Sequence, residues 1–79
     1  MESVEERVIK IIAAQLKIKD KARIKRDADF YELGANSIDI TDIANALEAE
    51  FGMSISETES VVTWTVQRAI DYAAVHKKE

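Results

Sequence analysis

The chain has 79 residues, of which 47% are hydrophobic and 33% charged, with a formal net charge of -4, no cysteine and one histidine. A chain of this length forms one domain, residues 1–79, and buries only about 60 to 65% of the surface that its unfolded form exposes. The absence of cysteine excludes disulfides and thiolate nucleophiles, and a single histidine excludes most zinc sites. Packing of a thin core must therefore supply the stability.

The charges are distributed unevenly along the chain. Residues 1–26 hold eight Lys and Arg against four Asp and Glu, whereas residues 27–59 hold nine acidic residues and no Lys or Arg. These acidic residues are Asp27, Asp29, Glu32, Asp39, Asp42, Glu48, Glu50, Glu57 and Glu59. Such a segment repels nucleic acid and anionic lipid and attracts basic protein surfaces, although an ordinary solvated face has the same composition. We expect protein partners and no nucleic acid.

The amino terminus and the hydropathy indicate where the protein works. MESVEERVIK carries acids where a signal peptide needs a basic region followed by an apolar run. No apolar stretch approaches the roughly 20 residues that span a bilayer. We therefore expect a cytoplasmic protein that does not insert into membranes, and a monomer.

The first predicted element is a helix over about residues 4–16, where apolar residues recur at helical spacing and Ser3 with Glu6 forms a capping box. The next ten residues, KIKDKARIKR, hold six of the eleven Lys and Arg. The spacing of Ile18 and Ile24 favours an extended loop held by isoleucines, although a short strand also fits. The stretch lacks the aromatic residues of a nucleic-acid patch, and we interpret it as a solvated loop.

The second predicted helix follows a short apolar anchor. Phe30 and Leu33 hold a loop that turns on Gly34, where glycine gives the backbone its freedom. An apolar stripe then predicts a helix over about residues 37–51, and Gly52 ends it. The stripe consists of Ile40, Ile43, Ala44, Leu47 and Phe51.

The remaining residues predict one short and one long helix. Met53 or Ile55 should turn inward, and a second capping box of Ser56 and Glu59 should begin a short helix through 61–62. The last helix should begin near residues 63–65 and bury one face. That face consists of Val66, Ala69, Ile70 and Ala73. The predicted fold class is all-α: a small four-helix bundle, with three main helices, one short helix and a long first loop.

Three aromatic residues and the histidine are assigned from their positions. Trp64 should cover one end of the core. We interpret Tyr31 and Tyr72 as amphipathic edge residues and His76 as solvated.

Ser37 is the candidate functional residue. Asn36 has Asp39 three residues later, so Asn36 is the expected N-cap and Ser37 the first helical residue. The hydroxyl of Ser37 then points off the end of the helix, where the dipole and unpaired N–H groups favour an anionic group. A serine without an adjacent general base is a poor nucleophile, and the only histidine, His76, lies in the tail. We therefore expect a protein that is not an enzyme.

The stretch FYELGANSIDITDIANALEAEFGMSI resembles the attachment region of acyl carrier proteins, in which an anchored loop and Leu-Gly precede Asp-Ser-Leu and an acidic helix. TVQRAIDY resembles the start of the last helix of that family, so the resemblance covers essentially the whole chain. It implies that Ser37, near Gly34 and Asn36, accepts a 4′-phosphopantetheine arm from coenzyme A. A phosphopantetheinyl transferase that uses Mg²⁺ would attach it.

The resemblance also implies the cargo and the partners. Acyl groups would travel as thioesters on the thiol of the arm between enzymes of fatty-acid, polyketide or related biosynthesis. The acyl-loading and acyl-processing enzymes would present basic patches to the acidic helix. The residues expected to meet them are Ile38, Asp39, Asp42, Glu48 and Glu50. For Ile38, partial burial against the loop is the alternative, and Trp64 is an alternative lining for the mouth of an acyl pocket between the second and last helices.

The sequence departs from the family pattern in three places. Asn36 replaces the usual Asp, which keeps the cap but deletes a charge, and Thr41 and Asn45 stand where many fatty-acid carriers have apolar residues. The loop is similar to those of carriers from polyketide or peptide pathways. Two alternatives stay open: an aminoacyl or peptidyl carrier, and an unmodified acidic adaptor that binds a partner protein.

Overall fold

Three α-helices make up most of the fold in a computed structural model that describes residues 2–56 and 58–78. The helices are α1 (Val4–Leu16), α2 (Ser37–Phe51) and α3 (Val66–His76), and single 3-10 turns cover Lys21–Arg23 and Val61–Thr63. The described ranges contain no β-strand, only an isolated antiparallel bridge between Asp29 and Thr65. The predicted fold class is confirmed, with three main helices, one short helical turn before α3 and a long first loop.

The ends of α1 and α2 follow from local signals. At the start of α1, the Glu6 N–H donates to Ser3 Oγ at 3.1 Å, and the Glu6 carboxylate accepts the Ser3 N–H at 3.3 Å. At the end of α2, Gly52 adopts a left-handed conformation with φ of 60°. A side chain is disfavoured in that conformation. The predicted bounds of both helices and the terminating role of Gly52 are therefore confirmed.

One hydrophobic core lies between the three helices. Eight large side chains are almost completely enclosed: Val8, Ile12, Phe30, Ile40, Ile43, Leu47, Phe51 and Val66. The apolar stripe predicted for α2 points into this core except for Ala44, which is half-buried. The predicted face of α3 is buried as well, and Trp64 is 4% exposed at its entry.

Phe30 and two loop carbonyls hold the long first loop against α3. The Phe30 side chain is 0% exposed. The N–H of Val66 donates to Ala28 O at 2.9 Å, and the N–H of Gln67 donates to Arg26 O at 2.8 Å. The first N–H groups of a helix have no partner within the helix, so the loop supplies acceptors that α3 lacks.

The basic stretch differs from its prediction in one respect. Instead of remaining extended, it forms the 3-10 turn Lys21–Arg23, because the Asp20 carboxylate accepts the Ala22 N–H at 3.0 Å and closes a local turn. Ile24 is buried, so an isoleucine does hold the stretch. Its Lys and Arg side chains are exposed, and Arg26 pairs with Glu5 of α1.

The predicted second capping box is wrong. The Ser56 hydroxyl bonds to Thr58 Oγ1 at 2.8 Å, and the Glu59 carboxylate pairs with Arg68 at 3.0 Å. The short helical turn begins instead after Ser60, whose side chain makes no capping hydrogen bond. The two residues of the predicted box are thus bonded to Thr58 and to Arg68 of α3 instead of to each other. Glu57, in the same acidic segment, lies outside the described residues.

Tyr72 is also placed differently from its prediction. It is 5% exposed, and its hydroxyl donates to Ser54 O at 3.1 Å. Its ring centroid lies 5.1 Å from that of Trp64 on one side and 4.0 Å from that of the exposed His76 on the other. Tyr72 is therefore a core residue with a satisfied hydroxyl, whereas Tyr31 is exposed as an edge residue should be.

The anchoring of the loop predicts how α3 responds to changes at Thr65. The Thr65 hydroxyl oxygen accepts the Arg68 N–H at 3.1 Å and caps the helix beside the loop contacts. We expect Thr65→Ala to lower the free energy of unfolding by about 1 kcal/mol, because the capping acceptor is lost. Thr65→Ser keeps the oxygen and should lose much less. Urea denaturation followed by helical circular dichroism measures both, and equal losses would contradict the capping role.

Candidate functional site

Ser37 is the first residue of α2, and its side chain is exposed. The Asn36 side chain accepts the Asp39 N–H at 2.9 Å, and the Asp39 carboxylate accepts the Asn36 N–H at 3.1 Å. This reciprocal cap confirms the capping roles predicted for Asn36 and Asp39. The Ser37 hydroxyl makes no hydrogen bond within residues 2–56 and 58–78, so it is accessible and not needed by the helix start.

The surroundings of Ser37 favour a negatively charged group. The backbone N–H groups of Ser37 and Ile38 have no hydrogen-bond acceptor among the residues that the structure describes. They point along the axis at the N-terminus of a 15-residue helix, where the macrodipole is positive. A phosphate oxygen attached through the Ser37 oxygen would lie beside these donors.

The loop before Ser37 is a compact turn. The N–H groups of Gly34 and Ala35 donate at 3.0 Å to the carbonyls of Tyr31 and Phe30, respectively. Gly34 has φ of 95°, yet a Cβ built there would meet nothing within 4 Å. Glycine is therefore required by backbone conformation and not by close approach. Gly34 contributes to the site by directing the chain into α2.

The acidic residues predicted to meet partners do not form one face. Counting about 100° per residue around α2, Glu48 and Glu50 point roughly 160° apart. Glu48 is half-buried and accepts the Ile55 N–H at 2.8 Å, and Glu50 pairs with Arg7 at 2.8 Å. Both carboxylates thus hold the fold together, although each keeps its negative charge near the surface.

Two predicted partner residues do share an exposed face near Ser37. Ile38 is 70% exposed, so the alternative of partial burial against the loop is wrong. Asp42 is exposed and lies one turn further along α2, about 40° around the axis from Ile38. Its carboxylate accepts a hydrogen bond from the Gln15 side chain at 3.3 Å. Asp39 lies at the edge of this face, and its carboxylate is hydrogen-bonded to the Asn36 N–H in the cap.

A cleft that sequence reasoning missed runs beside α2. It has a volume of about 520 Å³ and lies between α2 and residues 55–56 and 59–62. Trp64 does not line this cleft, so the cleft is a different site from the acyl pocket suggested between the second and last helices. The polar Thr41 and Asn45, noted as departures, both line the cleft. From the sequence, both were departures from the family pattern and gave no indication of a cleft.

The described residues also bear on metal binding and on membrane insertion. Among the described residues no group of three His, Cys, Asp or Glu side chains is arranged to hold a metal ion. No helix within residues 2–56 and 58–78 is long and apolar enough to cross a membrane.

Comparison with known protein families bears on the role of this site. A family model described as the phosphopantetheine attachment site matches residues 6–63, which is more than half of the chain. The matched range includes most of α1, the long loop and all of α2, and therefore includes Ser37. An exposed hydroxyl beside unpaired N–H groups fits the attachment of a phosphodiester.

The reciprocal cap predicts how α2 responds to changes at Asn36. Asn36→Ala removes the acceptor of the Asp39 N–H and should lower the free energy of unfolding by about 1 kcal/mol. Asn36→Asp keeps an acceptor and adds a favourable charge at the helix start, so stability should change by less than about 1 kcal/mol. Chemical denaturation measures both. A larger loss in Asn36→Asp would show that the amide group makes a contact that a carboxylate cannot.

Proposed function

Since this chain belongs to the phosphopantetheine attachment-site family of carrier proteins, we propose that Ser37 bears its 4′-phosphopantetheine group and that acyl groups travel on that group between biosynthetic enzymes. Carriers of this family hold the group covalently and interact with a phosphopantetheinyl transferase and acyl-processing enzymes. The observation that carries the proposal is the exposed Ser37 hydroxyl, which makes no hydrogen bond to any described residue and stands at the N-terminus of α2.

Other serines fit attachment less well. The Ser3 hydroxyl caps α1 and lies before the matched range, and the Ser56 hydroxyl bonds to Thr58. Ser54 and Ser60 are exposed, but neither begins an α-helix. Ser37 alone among the described serines combines an unused hydroxyl with the N-terminus of a long helix. The positive end of the dipole stabilises the charge that attachment adds.

The attachment reaction needs only an accessible oxygen from this chain. The Ser37 oxygen attacks the phosphorus that bears the pantetheine half of coenzyme A, and the new O–P bond replaces the pyrophosphate P–O bond. 3′,5′-ADP leaves, and the serine proton passes to a base on the transferase or to solvent. The positioning of Mg²⁺ and of this base belongs to the transferase. The carrier contributes the hydroxyl and its orientation.

The arm supplies a terminal thiol on which acyl groups are held as thioesters, so a chain without cysteine can carry them. Among the described residues, no side chain hydrogen-bonds to the Ser37 hydroxyl as a general base would. The only histidine of the sequence, His76, ends α3 and stacks on Tyr72. These features support a carrier without catalytic activity, acting in fatty-acid, polyketide or related biosynthesis.

The exposed face formed by Ile38 and Asp42 supports docking beside the attachment point. A hydrophobic side chain next to a carboxylate suits partners that surround an apolar contact with Lys or Arg. The net charge of -4 extends the attraction beyond direct contact. Pairs at the rim of an interface mainly raise the association rate, which suits a carrier that must also leave each enzyme.

Intact mass tests the proposal directly. We expect the purified chain, incubated with a phosphopantetheinyl transferase of broad specificity, coenzyme A and Mg²⁺, to gain the mass of one phosphopantetheine. Ser37→Ala should abolish the gain because no acceptor oxygen remains. Ser54→Ala removes a hydroxyl that is also exposed and should leave the gain unchanged.

The same experiment separates carrier from adaptor. An unmodified acidic adaptor would gain no mass under these conditions, although it would fold and bind a partner. Circular dichroism of Ser37→Ala should match that of the parent chain, so that loss of the gain reports loss of the acceptor. A mass gain that persists in Ser37→Ala would place the arm on another residue.

A charge reversal tests the docking face. We expect Asp42→Lys to slow transfer of the arm several-fold at low ionic strength and less at high salt, because it reverses a charge beside Ser37. Asp71→Lys is a matched control: Asp71 is exposed on α3 and, like Asp42, accepts a hydrogen bond from a glutamine side chain. Both variants change the net charge equally. Equal rates for the two would contradict a docking role for Asp42.

A further inference from the structure

The cleft beside α2 lies on the same side of the helix as Ser37. Thr41, Ala44 and Glu48 line it, and all three point within about 40° of the direction of Ser37 around the helix axis. They stand about 6, 10 and 16 Å along the axis from Ser37, at 1.5 Å per residue. A group tethered to Ser37 can therefore fold back along α2 into the cleft. The volume of about 520 Å³ is typical of small-molecule sites.

The cleft is lined by both apolar and polar groups. Ile55, Val61 and Val62 supply an apolar surface, which suits the methylene groups of an acyl chain. Asn45 and Ser60 lie on opposite walls, one on α2 and the other before the turn Val61–Thr63. Within the described parts of the chain, neither the Asn45 amide nor the Ser60 hydroxyl makes a hydrogen bond.

The other polar groups in the cleft are engaged. The Thr41 hydroxyl donates to Ser37 O at 3.0 Å, and the Glu59 carboxylate pairs with Arg68. The Glu48 carboxylate accepts the Ile55 N–H at 2.8 Å. The Ser56 hydroxyl, which also lines the cleft, bonds to Thr58 Oγ1 at 2.8 Å. Among the described lining residues, Asn45 and Ser60 are thus the side-chain donors left to bond a ligand. The two carboxylates disfavour any cargo that carries its own negative charge.

For an acyl group that is carried on Ser37 and folds back into the cleft, we infer that Asn45 and Ser60 give the cleft a preference for neutral chains with a hydroxyl or oxo group over saturated chains of equal length. This rests on the proposed function and adds the class of cargo. A saturated chain would cover the Asn45 amide and the Ser60 hydroxyl without replacing their hydrogen bonds to water, which is unfavourable. A hydroxyl or oxo oxygen accepts a hydrogen bond from either.

Protection of the thioester measures the preference. The chain is loaded on Ser37 by the transferase from octanoyl-, 3-hydroxyoctanoyl- or 3-oxooctanoyl-coenzyme A, and intact mass confirms loading. Release of the acyl group by thioester exchange with an excess of a small thiol is then timed. The rate for the matching small N-acetylcysteamine thioester is divided by this rate, which removes the intrinsic reactivity of each chain. We expect protection of the two oxygenated chains to exceed that of octanoyl about five-fold, the change that one net hydrogen bond supports.

Variants assign the preference to side chains. Asn45→Leu and Ser60→Ala should each reduce the ratio of oxygenated to octanoyl protection, and the double variant should bring it to one or below. Ala49→Leu is the control, because it adds the same side chain at an exposed position of α2 outside the cleft. It should leave the ratio unchanged. Amide chemical shifts of Thr41 and Val61 should move on loading in the parent chain, independently of cleavage.

The outcomes separate this inference from the function on which it rests. Failure to load any chain on Ser37 overturns the proposed function, and the inference with it. Loading followed by equal protection of all three chains, or by stronger protection of octanoyl, overturns the inference alone. A ratio that persists in the double variant also overturns it, because the preference would then arise elsewhere.

Discussion

The position of Ser37 depends on how the long first loop is fixed to α3. A loop covering residues 17–36 is expensive to order, and the described residues contain no strand and no disulfide to hold it. Burial of Phe30 and two hydrogen bonds from Val66 and Gln67 to loop carbonyls compensate for this cost. The same contacts satisfy N–H groups that every helix start leaves open. One set of interactions therefore begins α3 and aligns the chain that enters α2.

At the start of α2, structure and function are divided between neighbouring residues. Asn36 and Asp39 satisfy each other's N–H groups, and Gly34 supplies the left-handed turn before them. Ser37 contributes only its backbone to the helix, by accepting a hydrogen bond from Thr41. Because its hydroxyl has no structural task, attaching a group to it breaks no contact within the described chain. A serine at the N-cap itself would lose its capping bond on modification.

The features that could be predicted from the sequence are those set by neighbours within a few residues. The bounds of α1 and α2, their caps and the core stripe of α2 all depend on such spacing. The second capping box had the same pattern but failed, because Arg68, nine residues beyond Glu59, and the adjacent Thr58 offered other bonds. Tyr72 is buried by its contacts with Ser54 and Trp64. The helical spacing of residues around Tyr72 does not reveal these contacts, because Ser54 and Trp64 lie outside α3. The cleft likewise forms between α2 and a segment without regular spacing.

The acidic residues of α2 show how one charge can serve the fold and an encounter with a partner. Glu48 and Glu50 are each held by a hydrogen bond or ion pair, which fixes their position without removing the charge of the helix as a whole. Long-range attraction of a basic partner depends on the electrostatic field of all the charges together, and not on which carboxylate is free to form an ion pair. Direct contact in the proposed carrier falls instead to the residues that the fold leaves exposed, Ile38 and Asp42. Because few side chains there must be ordered on docking, binding can be fast and still weak enough for the carrier to leave.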